Sequence, residues 1–384
     1  MKTFLFLLAS FFVMMVMGTV YTWSVFRVEV ESVYQASALQ SGLPYMASLF
    51  FYAIAMMVTG RVLNMGNTRK IAAVGALLIA VGWLLAAQSS SLLALTLSYG
   101  VLIGVGVGMV YGIPVFLVNR RYEKSGLYAG IILSGFGASP LVTAPLVHRL
   151  IVAHGLMQTF LFMGAVSLVV LIPLCLLFKG KAAGVNPLDQ AVAKAATPGI
   201  FPLLYAIFLI GTTIGLMMIG LSYRIGVVNY GFDVRRVALS LSFFAVLNGI
   251  ARPLFGLLVD KKGFLFASGL NGLLSVMAAL LALVNNGQIL LVYGLSMGLF
   301  WFSLGGWLAM LPASIKLYFG TGDYAKRYGL MFTAYGFGAM LGTVLSGVVL
   351  DVFVGTAVLY ALVIGLLGMV FILRSHLRKR LKTA

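Results

Sequence analysis

The sequence predicts an all-α integral membrane protein, with twelve transmembrane helices arranged as two pseudo-symmetric six-helix bundles. Composition is the first reason: 62% of the 384 residues are hydrophobic and 9% are Asp, Glu, Lys or Arg, against about 25% charged in a soluble protein. Distribution is the second, because the apolar residues gather into runs of about 20, the length that spans a bilayer. The third is a short internal repeat on either side of one polar loop near the middle of the chain.

In chain order the runs are 4–26, 41–61, 71–89, 92–118, 127–147, 158–178, 200–223, 237–259, 264–285, 288–312, 329–350 and 356–373. The first begins like a signal peptide, with one Lys before an apolar stretch. It stays apolar to Phe26, beyond an h-region of roughly 7–15 residues, and is read as a membrane helix. The fourth carries Gly104, Gly106 and Gly108, and the fifth carries Gly135 and Gly137 before Pro140 and Pro145. Small residues let membrane helices approach closely and Pro bends them; hinges between moving helices and plain tight packing both account for the pattern. "GVGVG" (104–108) lies inside a span and lacks the Lys and Ser/Thr of a phosphate loop, so no nucleotide is expected.

The sixth run ends at "KGKAAGVNPLDQAVAKAATPG" (179–199), the longest loop, polar and rich in small residues. It is expected to be a cytoplasmic linker between an N-terminal bundle (1–178) and a C-terminal bundle (200–384). Across it, "SGFGA" (134–138) in the fifth run recurs as "YGFGA" (335–339) in the eleventh. "GRVLNMGNTRK" (60–70) after the second run corresponds to "GLLVDKKG" (256–263) after the eighth. Repeats of this kind place a binding site between the halves, near the bilayer midplane.

The formal charge of +18 reflects topology rather than nucleic-acid binding. With the N-terminus and the even-numbered loops on one side, that side holds twenty of the 26 Lys and Arg residues; the other side holds Arg27, Arg149, Arg224, Arg235 and Arg236. The positive-inside rule then puts both termini in the cytoplasm, with the chain in the cell membrane. Cys175 is the one cysteine, and His148, His154 and His376 form no ligand cluster, so neither metal nor cofactor is expected. The spans offer no catalytic dyad and the loops are short, so enzyme activity is not expected. The lipid bilayer and a small solute are the expected partners, and the chain is expected to act as a monomer.

One cation remains. Arg252 stands in "NGIARPLFGLLVD" (248–260), about 12 Å inward from Asp260 at 1.5 Å per helical residue. A charge at that depth costs several kcal/mol and faces a cavity or a partner. Snorkelling would need more than a comfortable side-chain reach. A buried acid is missing as well, because no span contains a deeply placed Asp or Glu. The guanidinium is a planar fork of donors that fits a carboxylate, which makes Arg252 the candidate anion-binding residue. Asn248 lies one helical turn away, on the same face. Tyr111 and Tyr335 fall at similar depth, while Tyr21 and Trp301 lie farther toward the opposite side. Tyr hydroxyls can donate to a carboxylate while the rings exclude water; packing and interfacial belts are the ordinary alternatives for such residues.

At the inner end of the same run, Gly256, Asp260, Lys261 and Gly263 follow the pattern G-x-x-x-D-[KR]-x-G. Asp260 can accept hydrogen bonds from a neighbouring helix N-terminus, where negative charge is favoured. That contact would act as a conformational latch, unless the cluster is simply membrane-edge charge. The first-half copy has Asn64 in place of the acid and should latch more weakly.

This loop pair, with two six-helix halves, resembles the major facilitator superfamily, and the resemblance covers the whole chain. "VNRRYEKSGLYAGIILSGFGASP" (118–140) is similar to the loop-to-helix-5 region of monocarboxylate transporters and the related oxalate/formate antiporters. "NGIARPLFG" (248–256) resembles their helix 8, where a buried Arg before Pro binds substrate carboxylate; "YTWSVF" (21–26) and "GVGMVYGIP" (106–114) resemble the antiporter group. The resemblance implies alternating access between two bundles. Two departures bear on substrate. Tyr335 stands where oxalate transporters carry a second buried Lys, and one cation suits a monoanion better than a dianion. Asn248 stands where animal monocarboxylate transporters carry an Asp that helps proton coupling, and their helix-1 Lys is absent as well. The expected function is therefore secondary transport of a small organic monocarboxylate, by anion exchange or proton symport. The alternative is a facilitator-type carrier of a neutral or amphipathic solute, with Arg252 structural.

Overall fold

A computed structural model describes residues 3–122, 125–180, 199–285, 287–352 and 356–382. Among them, ten unbroken helical runs are long and apolar enough to cross a membrane. Two of these, Gly126–Cys175 and Arg235–Asn285, have 50 and 51 residues; straight, each would reach about 75 Å, far more than a hydrocarbon core of about 30 Å. Each breaks at a single glycine instead, Gly155 (φ 81, ψ 174) and Gly263 (φ 79, ψ 167), in a backbone region essentially reserved for glycine.

Taking each arm separately, the described residues form twelve long helices: α1 (3–34), α2 (Leu43–Val62), α3 (Thr68–Ala86), α4 (Leu92–Arg121), α5 (126–154), α6 (156–175), α7 (Ile200–Asn229), α8 (234–262), α9 (264–285), α10 (Leu290–Phe319), α11 (Tyr324–Val352) and α12 (Ala357–Lys382). Every expected span has its helix, and the all-α membrane fold follows. Of the expected linker, residues 181–198 lie outside the described residues.

Local chemistry sets several ends. α2 carries Pro44 in its first turn, where a missing N–H is harmless. The Ser91 hydroxyl accepts the Ala94 N–H at 3.2 Å and caps α4. α10 stops at Gly320, where a positive φ of 69 suits glycine and breaks the helix. Several helices outrun the expected spans. α1 continues to Tyr34, eight residues past the end of its apolar run, and is steadied by an Arg27–Glu31 pair at 3.1 Å. α10 passes straight through Pro312 to Phe319, and α12 runs on to Lys382. Hydropathy marks where lipid ends; helical hydrogen bonding continues into water.

The first six helices meet the last six along two close seams. On α5 and α8, a Cβ on Gly126 would strike Gly256 O, and one on Gly130 would strike Arg252 O. On α2 and α11, Gly60 abuts Ala325 and Gly329 abuts Met56 in the same way. Backbone-to-backbone contact of this kind is how membrane helices pack without a hydrophobic driving force.

Candidate functional site

The α5–α8 seam carries Arg252 to the centre of the molecule. Pro253 follows it inside α8, and Gly130 and Gly137 on α5 leave room for it: a Cβ on Gly137 would lie 2.9 Å from Arg252 Nε. The side chain is fully buried. Its Nη1 donates to Leu133 O at 2.7 Å and its Nη2 to Asn248 Oδ1 at 3.1 Å, while Nε has no hydrogen-bond partner. These bonds use two of the five N–H groups of a guanidinium. Among the described residues no carboxylate pairs with it; the Arg27–Glu31 ion pair is far away in sequence and partly exposed. Arg252 also lies 5.8 Å from the Phe136 ring centroid, within cation–π range.

Asn248 is held in one orientation. Its Nδ2 donates to Trp301 O at 2.7 Å, so Oδ1 faces Arg252. Residue 248 is thus a neutral acceptor that steers the guanidinium without cancelling its charge.

Aromatic side chains from both bundles close around this pair. Tyr21 sits in a 3-10 turn of α1, Gly18–Thr22, where Gly18 rests against the α5 backbone at Phe136. Its hydroxyl bonds that of Tyr335 on α11 at 2.7 Å, joining the two halves. The Tyr21 and Tyr111 hydroxyls both lie within electrostatic reach of the Arg252 charge. Tyr21 and Tyr111 each meet Phe136 edge-on, at 5.1 and 5.3 Å. Tyr52 and Phe332, with rings 5.0 Å apart, complete the wall.

The structure therefore brings Arg252, Asn248, Tyr21, Tyr111 and Tyr335 into one cluster. Trp301 joins only through its carbonyl; its indole donates to Ser222 Oγ at 2.9 Å and packs near Phe244. Phe136, Tyr52, Phe332 and the Leu133 carbonyl were not singled out from sequence. Phe136 did carry a signal, as the centre of the repeated "SGFGA". Tyr52 and Phe332 are single aromatics in apolar runs and carried none.

Eight residues from Arg252, Asp260 accepts the N–H groups of Gly126 at 3.0 Å and Leu127 at 2.9 Å. These are free donors at the α5 N-terminus, where a carboxylate is favoured. Lys261 is exposed and takes no part. Asn64 closes only its own turn, accepting from Gly66 N and Asn67 N; it reaches no helix of the other half. Further cross-half bonds lie at the same end. Asn119 Nδ2 donates to Tyr324 Oη at 2.9 Å, Arg120 Nη2 to Gly322 O at 3.2 Å, and Lys316 Nζ to Tyr122 O. With the Arg252–Leu133 and Tyr21–Tyr335 bonds, the cross-half contacts run from the central cluster to the Lys/Arg-rich end, and the molecule is closed on that side.

A family model described as Major Facilitator Superfamily matches residues 3–315. The oxalate:formate antiporter of Oxalobacter formigenes is 25% identical over 359 residues, covering 90% of this chain and 85% of that protein. Monocarboxylate transporter 14 of Homo sapiens is 30% identical over 188 residues, covering 47% of this chain and 36% of that protein. Among solved structures, the Major Facilitator Superfamily transporter FucP in the outward conformation superposes with a TM-score of 0.75 at 15% identity, covering 98% of this chain and 99% of that one.

Proposed function

This chain belongs to the major facilitator superfamily, and from that premise we propose that it moves a small organic monocarboxylate by alternating access between its two bundles. It is a multi-pass membrane transporter; the substrate and the roles of individual residues are our reading. The observation that carries it is Arg252, a fully buried cation that has, among the described residues, no acid beside it and no hydrogen-bond partner for its Nε–H. A charge buried so deeply is expensive unless paired, and a substrate carboxylate is the missing partner. Asn248 orients the guanidinium, Tyr21, Tyr111 and Tyr335 offer hydroxyls and exclude water, and Asp260 latches the Lys/Arg-rich side. The carboxylate named in the oxalate:formate antiporter and in monocarboxylate transporter 14 supports the same class of substrate. A single cation favours a monoanion over oxalate. Exchange and proton symport both fit. The distribution of Lys and Arg supports the cell membrane, with both termini cytoplasmic.

A second reading has its own support. Arg252 already spends two N–H groups on Leu133 O and Asn248 Oδ1, as a purely structural Arg in a carrier of neutral solutes would. Substitution separates the two. In proteoliposomes, Arg252→Lys keeps the charge but loses the planar fork, and the carboxylate reading expects transport to fall about 10–100-fold, the worth of a charged hydrogen bond. Normal carboxylate transport by Arg252→Lys and by Arg252→Ala would sink it. Thermal stabilisation by neutral compounds and by no carboxylate would establish the second reading instead.

A further inference from the structure

The last helix leaves the bilayer as a basic ridge. Its apolar run ends at residue 373, yet α12 continues to Lys382, about 13 Å farther at 1.5 Å per residue. That extension carries Arg374, Arg378, Lys379, Arg380 and Lys382. α12 lies against α7 and α9, and none of the three helices contains an Asp or Glu. One face of the extension is fixed to the protein. Leu377 is fully buried, and Leu373 and Leu381 pack beside the same core, at the four-residue spacing of a single helix face. Arg374 points to that side as well. Its Nε donates to Ser268 Oγ at 2.9 Å and its Nη2 to Leu265 O, both on α9. Gly269 leaves room for the guanidinium, since a Cβ there would strike Nη2.

The other face of α12 is open. Met369 and Ile372 are 51% and 59% exposed, and a Cβ on Gly365 or Gly368 would meet nothing within 4 Å. At helical spacing this apolar stripe runs on into His376, Lys379 and Arg380. A soluble anion would need the cations alone. A phospholipid needs both parts in line, apolar surface for its chains and cations for its phosphate. We propose that this face of α12 binds an anionic phospholipid of the leaflet on the Lys/Arg-rich side. One acyl chain lies along Gly365, Gly368 and Ile372, and the headgroup meets Arg378, Lys379 and Arg380, while Arg374 holds the ridge to α9. Headgroups fill roughly 5–8 Å beyond the hydrocarbon core, the depth of the first turn and a half after residue 373. The tip of the helix lies within a Debye length, about 10 Å, of that layer. Basic clusters directly beyond a membrane helix attract anionic lipid, each cation being worth about fivefold in affinity. The site does not depend on which solute the carrier moves.

Lipid binding to the full chain in neutral detergent tests this, read by native mass spectrometry during titration with dioleoyl phosphatidylglycerol or dioleoyl phosphatidylcholine. The unsubstituted protein is expected to bind the anionic lipid at least fivefold more tightly than the zwitterionic one. Arg378 and Lys379 are both exposed, so Arg378→Gln with Lys379→Gln leaves the packing intact. That pair is expected to weaken phosphatidylglycerol binding about 25-fold, fivefold for each cation, and to leave phosphatidylcholine unchanged. The control removes the same charge elsewhere on the Lys/Arg-rich side: Arg69→Gln with Lys70→Gln, both exposed at the start of α3, is expected to leave both lipids unchanged. Inorganic phosphate is expected not to displace the lipid. Equal affinity for the two lipids, or an equal loss in the α3 control, overturns the proposal, the second because it would mean diffuse attraction to the net charge. Displacement by inorganic phosphate overturns it too, and would make the ridge a site for soluble anions.

Discussion

Arg252 and Asn248 form a unit in which the second residue sets the charge beside the first. Because Trp301 O fixes the amide, Asn248 offers Arg252 one neutral oxygen and leaves its positive charge uncompensated. An acid at the same position would supply the counter-ion internally. Asn248→Asp is expected to suppress carboxylate transport at neutral pH, since the new carboxylate is ionised and competes with the substrate for Arg252. As pH falls and that group takes a proton, the competition ends and transport should recover. Initial rates measured in Asn248→Asp vesicles from neutral to mildly acidic pH test this; a flat profile, or one that rises with pH, contradicts it. Arg252 was legible from its position in the sequence because no apolar run holds a compensating acid. The Asn248–Trp301 and Arg252–Leu133 bonds were not, since both accept at backbone carbonyls and any residue at 301 or 133 has one. The Trp301 indole illustrates the same limit: depth along a helix was readable, the direction its ring faces was not.

At the scale of helices, two glycines turn long helical runs into antiparallel-capable pairs, and two seams of glycines join the halves. Gly155 and Gly263 are expected to be sensitive for different reasons from the seam glycines. At Gly155 a Cβ would meet nothing within 4 Å, yet φ is +81. Gly155→Ala should therefore cost about 1–3 kcal/mol through backbone strain alone. Gly220 also has open space but an ordinary helical backbone, so Gly220→Ala should be neutral or stabilising by up to about 1 kcal/mol. Thermal unfolding of the two variants in detergent checks the pair; equal melting temperatures would show that the backbone argument is wrong. The number and order of helices were legible because hydropathy measures bilayer thickness directly. Their ends were less so. The α5–α6 and α8–α9 connections contain one non-helical residue each, and loop composition says little about a turn that short. The sequence pattern around Asp260 pointed to a neighbouring helix N-terminus without saying which, and the structure supplies that of α5; the Asn64 copy was expected to be weaker, and Asn64 makes no cross-half bond at all among the described residues.

For the whole molecule, the two halves are closed on the Lys/Arg-rich side by contacts of unequal kinds: a carboxylate on a helix end, a buried Asn119–Tyr324 bond, and the Arg120 and Lys316 bonds to backbone carbonyls. The first was visible as a motif. The others depend on residues far apart in sequence that only the fold brings together. On the proposed reading, loading the site with a monoanion would bring the charge at Arg252 near zero and so lower the barrier to closing the cavity around it. The central claim is that the counter-ion Arg252 lacks is the substrate. The most direct measurement is counterflow of a panel of labelled monocarboxylates in proteoliposomes, with and without a pH gradient, for the unsubstituted protein and Arg252→Ala side by side. The account predicts that at least one monocarboxylate accumulates transiently against its gradient in vesicles preloaded with the same unlabelled acid, and that Arg252→Ala abolishes the overshoot. Overshoot with neutral solutes and with no carboxylate, or equal carboxylate overshoot in Arg252→Ala, would contradict it.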